Sequence, residues 1–320
     1  KGRLTNLQRN WEKLGLTNGM AGHIPVLPEE SVAGLNIQPD AKIIDGTIDG
    51  GGHTERFLQQ LGPDGQVLGI DWDPDMEPRL RKRFPGEHRL KLINANFGSI
   101  ESIARSFTFW PDAVFLDLGL SSFQLQARPD GGQASGRGFS FQNSEPLEMT
   151  FHPDTHPNAR ELVNTATEEE LEEVIRTYGE EWQARKIARA IVEARKIKAI
   201  TRTDELVAVI AGAVRSASWR RRKIHPATKT FQALRIYING ELENLENALK
   251  GSWNILKPGG RIAVISFHSL EDRIIKNFFK DKAKTKEALL ITKKPIRPAR
   301  KEMLENPRSR SAKLRLLQKK

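Results

Sequence analysis

Short apolar runs that alternate with glycine-rich turns and helix-like stretches constrain the fold of this chain more than any other feature of its sequence. Lys42-Ile43-Ile44-Asp45 is a strand-sized run that breaks at Gly46 and the triplet Gly50-Gly51-Gly52, and Thr54 to Leu61 then carries helical spacing. Gln66 to Asp71 is a second run, followed by Pro74 and a basic helix-like stretch from Met76 to Phe84. A strand at Leu90 to Ala95, a helix at Ile100 to Phe107 and a strand at Ala113 to Leu118 continue the series. Strands separated by whole helices cannot pair as hairpins, so the pattern predicts an α/β, doubly wound (Rossmann-like) fold with a parallel sheet.

The alternation stops after the fourth strand. Gln126 to Ser144 is rich in Gly, Ser and Arg and reads as a loop. An all-helical section follows. Thr167 and Glu170 form a capping box ahead of Leu171, Val174 and Ile175, Ile187, Ile191 and Ala194 share a second helix face, and Thr203 to Val214 makes a third helix. From Phe231 to Leu249 the apolar spacing predicts one long amphipathic helix, ended by Lys257-Pro258-Gly259-Gly260. A strand at Arg261 to Phe267, a helix at Leu270 to Phe279 and one strand near Ala312 to Leu317 close the chain. The expected organisation is a loosely ordered lead-in at 1–22, a first α/β part at 23–126, a helical insertion at 127–224 and a second α/β part at 225–320.

With 38% hydrophobic and 28% charged residues the chain has the means to build a core and lies outside the disordered regime. Its charge is unevenly placed: residues 281–320 hold 14 Lys plus Arg against 4 Asp plus Glu, so +10 of the net +11 sits there. A second basic cluster, Arg220-Arg221-Arg222-Lys223, points with it to a polyanionic partner, nucleic acid ahead of a merely solubilising tail. The absence of Cys excludes disulfides, thiolate zinc sites, iron–sulfur chemistry and a Cys nucleophile. No apolar run approaches the roughly 20 residues needed to span a bilayer, and Lys1-Gly2-Arg3 opens no secretory signal. No membrane partner is therefore expected.

Ligands of open α/β sheets bind beyond the carboxyl ends of the strands. Two features fall there. The loop Asp45 to His53 carries four glycines, which let backbone amides come close to a ligand at a helix N-terminus. Asp71 ends the second strand, 19 residues after Gly52, where a carboxylate can accept both ribose hydroxyls of an adenosine. Nicotinamide dinucleotides and S-adenosylmethionine both use this layout. The G-x-G-x-x-G fingerprint of the former fails, because Glu55 stands where its third glycine belongs.

The fourth strand ends in Asp117-Leu118-Gly119-Leu120-Ser121-Ser122. With His23-Ile24-Pro25-Val26-Leu27, Gly50 to His53, Ile70-Asp71-Trp72-Asp73-Pro74 and Arg137-Gly138-Phe139-Ser140-Phe141, these residues resemble the MraW type of bacterial small-subunit ribosomal RNA cytosine-N4 methyltransferases, whose mitochondrial relatives are similar. The likeness continues through Thr177 to Glu181, His225 to Gln232, Ser266 to Arg273 and Asn306 to Ser311. It departs at Ile48-Asp49, where the family usually carries Phe-Gly, at Phe123 in place of Pro, in a longer loop between Gln124 and Arg137, and at Glu145 to His152.

The resemblance implies S-adenosylmethionine as cofactor and a cytosine in small-subunit ribosomal RNA as substrate, in naked RNA or the assembled small subunit, by a monomer or homodimer. It implies cofactor contacts at Gly50, Gly51, Gly52, His53, Asp71, Phe97, Asp117 and Gln124, and a reactive cluster of Asp117, Ser121 and Ser122. RNA contacts are expected at Arg220, Arg221, Arg222, Lys223, His225, Lys229, His268, Arg308 and Arg310, with Glu271 a further substrate-side candidate and no metal. The setting implied is the bacterial cytoplasm, or the mitochondrial matrix for a eukaryotic source. Two other readings of the fold are a binding protein that has lost the reaction and a DNA amine methyltransferase; the latter usually places Pro-Pro-aromatic after the acid, which Leu118-Gly119-Leu120 does not match.

Overall fold

The computed structural model describes residues 24–121, 124–125, 136–214 and 225–320. The expected lead-in, Ser122 and the Arg220 to Lys223 cluster lie outside these residues.

The α/β part begins with helix α1 (Pro28–Leu35) and alternates β1 (Lys42–Asp45), α2 (Gly52–Gln60), β2 (Gln66–Asp71), α3 (Met76–Arg83), β3 (Leu90–Asn94), α4 (Ile100–Ser106) and β4 (Ala113–Asp117). After the helical section the chain returns through α10 (Glu241–Ile255), β5 (Arg261–Ser266), α11 (Ser269–Lys284), β6 (Ala288–Leu290), α12 (Arg300–Glu305) and β7 (Lys313–Lys319). The strands form one sheet in the order β3-β2-β1-β4-β5-β7-β6. The first five are parallel, whereas β7 pairs antiparallel with both β5 and β6. A strand entered from the opposite end has no side-chain periodicity to distinguish it, so the parallel expectation holds for five strands and fails at β7, which lies between β5 and β6.

Alternate residues of each strand feed opposite faces. Ile43, Val67, Phe115 and Ala263 join one apolar layer with Leu35 and Phe57. Ile44, Leu68, Val114 and Val264 join the other with Ile100, Leu249 and Phe279. Burial on both faces explains why these strands read as unbroken apolar runs rather than alternating ones.

The helical section comprises α5 (Ala159–Thr165), α6 (Glu168–Gly179), α7 (Ala184–Ile197) and α8 (Thr203–Ala213), and α9 (Ala227–Ile238) packs into the same core. Helix α6 starts at the expected box: Glu170 N–H donates to Thr167 Oγ1 at 3.1 Å and Thr167 N–H to Glu170 Oε2 at 2.7 Å. It ends at Gly179, where a side chain would push a Cβ to within 2.6 Å of the Lys229 carbonyl oxygen on α9. None of the helices among the described residues is long and apolar enough to cross a membrane.

The single long helix expected from Phe231 to Leu249 is two helices. Gly240 takes φ of 58°, which breaks the run. Buried Asn239 fixes the break, donating from Nδ2 to the Met149 carbonyl at 2.8 Å and accepting the Phe151 amide at 2.8 Å. Apolar spacing continues through the break and hides it. Replacing Asn239 with Ala leaves two buried backbone groups without partners and should destabilise the protein by about 2 kcal/mol, read as a lowered urea midpoint; an unchanged midpoint would show that the tie is dispensable.

Candidate active site

The switch in strand order falls between β1 and β4, and there the glycine loop and the tip of β4 are stitched together. Asp117 N–H donates to Thr47 Oγ1 at 2.6 Å, and Gly46 N–H to the Phe115 carbonyl at 2.9 Å. Behind Asp117, His53 Nε2 lies 3.3 Å from its Oδ2, with the imidazole buried against Phe115 at a ring separation of 4.4 Å. Asp117 Oδ1 is buried and has no hydrogen-bond partner among the described residues. Asp45, at the tip of β1, accepts Thr54 Oγ1 at 2.6 Å, and burial pushes its carboxyl up to about 6.

Asp71 stands at the tip of β2. Its Oδ2 accepts the Asp49 amide at 2.9 Å and its Oδ1 the Asp73 amide at 2.8 Å. The residue keeps partial exposure because it borders a cavity, but its carboxyl is enclosed by the loop that binds it. Burial, with Asp49 the nearest like charge, pushes that carboxyl up to about 8 despite the two amides.

A cavity of about 430 Å³ opens over these strand tips. Asp71, Phe97, Asp117, Ser121 and Gln124 border it, as expected, and so do Asp49, Trp72, Phe151, Glu241 and Arg308. Gln124 holds the far rim, its Oε1 accepting the Ser121 amide at 3.0 Å. Gly50, Gly51, Gly52 and His53 do not line it. Gly51 takes φ of 78° and a Cβ there would meet the Phe84 ring at 2.6 Å, while one on Gly52 would meet Pro25 at 3.3 Å. These two glycines leave room for neighbouring side chains, and His53 lies behind Asp117.

The substrate-side candidates divide. Arg308 borders the cavity and Arg310 is exposed nearby on the turn that follows α12. Lys229 is committed to the fold, donating to the Glu180 carbonyl at 2.7 Å, and His225 stacks on Phe141 at 4.9 Å. His268 caps α11, its Nδ1 accepting the Glu271 amide at 3.4 Å and its Nε2 lying 3.1 Å from Glu271 Oε1. Burial alone would raise the Glu271 carboxyl, but His268 and the Phe267 amide hold it below its usual range. Glu241, His268 and Glu271 converge, yet Arg235 grips Glu241 through two bonds of 2.8 and 2.9 Å, which leaves a cation little to bind.

Sequence reasoning passed over Phe151, whose amide donates to Asn239 at the helix break, and Glu241, which opens the helix after it; both border the cavity. It also passed over Arg137, whose guanidinium clamps Asp73 at 2.7 and 2.9 Å and Asp75 at 2.7 Å, tying the chain beyond the loop to the end of β2. Arg137 stood in a motif that could have marked it.

The MraW methylase family model matches residues 20–320. The chain belongs to that family. Ribosomal RNA small subunit methyltransferase H of Syntrophus aciditrophicus is 44% identical over 310 residues, covering 92% of this chain and 96% of its own length. The protein of the same name from Persephonella marina is 44% identical over 299 residues, covering 93% and 99%. Among solved structures, an rRNA methylase from Streptococcus thermophilus aligns over 93% of this chain and 98% of its own with 12% identity and a TM-score of 0.41. The chain's fold class rests on its strand order.

The raised acids give the ligand-free protein a signed pH dependence. Between about 4 and about 8 the folded state holds protons on Asp71, and to about 6 on Asp45, that the unfolded chain has released. Unfolding free energy should therefore fall as pH rises through that window. Asp71→Asn should flatten the limb between about 6 and 8 in urea titrations taken pH by pH; a variant as steep as the parent would contradict the assignment.

Proposed function

We propose that this protein transfers the methyl group of S-adenosylmethionine to the N4 amine of a cytosine in small-subunit ribosomal RNA, in the bacterial cytoplasm. The observation that carries the reading is that Asp71 and Asp117, on strands either side of β1, border one cavity. Its size lies within the roughly 300–1,000 Å³ of small-molecule sites. Asp71 suits the two ribose hydroxyls, Phe97 offers a ring face to adenine, and the orphan Oδ1 of Asp117 is an acceptor awaiting a donor. The residues present fit the cofactor, which when bound would supply a methyl group activated on a sulfonium.

Positioning then does most of the work. A cytosine amine is a weak nucleophile because its lone pair is delocalised into the ring. Asp117 would accept a hydrogen bond from that amine, let the nitrogen pyramidalise, and take the surplus proton that methylation leaves on it. Thr47 and His53 hold Asp117 in place through its amide and Oδ2. Ser121, with its amide held by Gln124, lines the base side, and Ser122 is its expected companion.

The RNA backbone is met by exposed cations of the C-terminal part, Arg308 on the cavity rim and Arg310 two residues on. Part of the C-terminal charge has another role: Lys313 and Arg315 bind Asp272 at 3.0 and 2.7 Å, and Lys319 caps the Leu256 carbonyl at 2.9 Å. The helical section forms the remaining wall of the RNA site.

Incubation with tritiated cofactor and unmodified small subunits should label one cytosine, identified by mass as N4-methylated. Asp117→Ala should lower the rate at least about 100-fold with the thermal midpoint retained; turnover near the parent's would remove Asp117 from the reaction, and RNA binding without any label would make the chain a binding protein. In a separate titration, Arg308→Ala with Arg310→Ala should reduce the slope of log affinity against log salt by about 1 for each phosphate that the variant no longer neutralises. An unaltered slope would place the RNA elsewhere.

A further inference from the structure

Asp49 holds a backbone conformation that side chains rarely adopt, with φ of 45°, at the position where the resembling family usually has glycine. Aspartate is among the residues that tolerate it. Two bonds fix where its carboxylate lies. The Asp49 amide donates to Asp71 Oδ2 at 2.9 Å, and an Asp49 carboxylate oxygen accepts the Ser121 hydroxyl. The carboxylate is thereby held between the acid that ends β2 and the loop that leaves β4, on the wall of the cavity. Seven carboxylate residues border the cavity against one cationic residue, Arg308, and although Arg137 and Arg235 neutralise Asp73 and Glu241 from outside it, the wall around Asp49 stays acidic in a chain of net charge +11.

A wall of this sign distinguishes the two ends of a methyl transfer. The cosubstrate carries a positive sulfonium, and the product thioether is identical in shape apart from one methyl group but has lost that charge. We infer that Asp49 is a charge-specificity residue, favouring the sulfonium form over the thioether product and so easing exchange of spent for fresh cofactor. The inference rests on the methyl-transfer reading. With its ribose on Asp71 and its methyl toward Asp117, a bound cofactor would present its sulfur to a carboxylate held between the two; one that served the amino-acid end would meet an ammonium present in both molecules and could not tell them apart.

The test is calorimetric titration of the full chain and its Asp49→Asn variant with S-adenosylmethionine, S-adenosylhomocysteine and sinefungin, in which an amine-bearing carbon replaces the sulfonium. Asparagine keeps the shape, tolerates the backbone and can still accept from Ser121. The ratio of homocysteine-form Kd to methionine-form Kd should fall about tenfold in the variant, equivalent to about 1.4 kcal/mol, with sinefungin following the cationic cosubstrate. Should Asp49→Asn fail to fold, Asp49→Gly, which removes charge and strain together, should give the same fall. A ratio unchanged in variants that bind both compounds overturns the inference and leaves methyl transfer standing. If the parent chain binds none of the three, both readings fall.

Discussion

Everything at the strand tips depends on how β1 is flanked. It lies at the centre of the parallel strands, with β2 on one side and β4 on the other, and the chain proceeds outward in opposite directions from it. The loops that leave β1 and β4 therefore part from each other, and a hollow opens between them without any side chain having to be removed. The hydrogen bond from the Asp117 amide to Thr47 Oγ1 spans the base of that hollow and sets the depth at which Asp117 sits. Pairing of Asp45 beside Gly69 and Phe115 brings Asp71 and Asp117 to the same level.

Concentrating acids there has an electrostatic consequence. Asp45 and Asp71 are lifted by burial, and neither has a cationic side chain among the groups that lower it other than the imidazole of His53 beside Asp45. Where the fold neutralises an acid it does so plainly, as with Arg137 on Asp73 and Arg235 on Glu241. On the methyl-transfer reading, Asp71 and Asp117 would receive a ligand that brings hydroxyl donors and positive charge.

Much of this was legible in the sequence. Five parallel strands came from apolar runs of strand length, and Asp71 and Asp117 from their place at the ends of such runs. The capping box at Thr167 was a local signal with a local outcome. What the sequence hid was non-local. The Asn239-Gly240 break interrupts no apolar spacing, yet it brings Glu241 to the cavity. The glycine triplet read as a ligand cradle, and it carries a second constraint: Gly51 and Gly52 make room for Phe84 and Pro25, side chains about thirty positions away on either side that no short pattern encodes. His268 and Lys229 carried site-like chemistry and proved to be bound within the fold, because a capping imidazole and a catalytic one look alike in one dimension.

The central claim is that Asp71, its carboxyl lifted by burial, becomes the ionised acceptor for an adenosine sugar. Calorimetry of S-adenosylhomocysteine binding at pH 7 in two buffers of different ionisation enthalpy counts the protons exchanged. With the carboxyl at about 8 before binding, close to one proton should be released per molecule bound, and Asp71→Asn should release none. Binding that releases no proton, or the same number in the variant, would contradict the account.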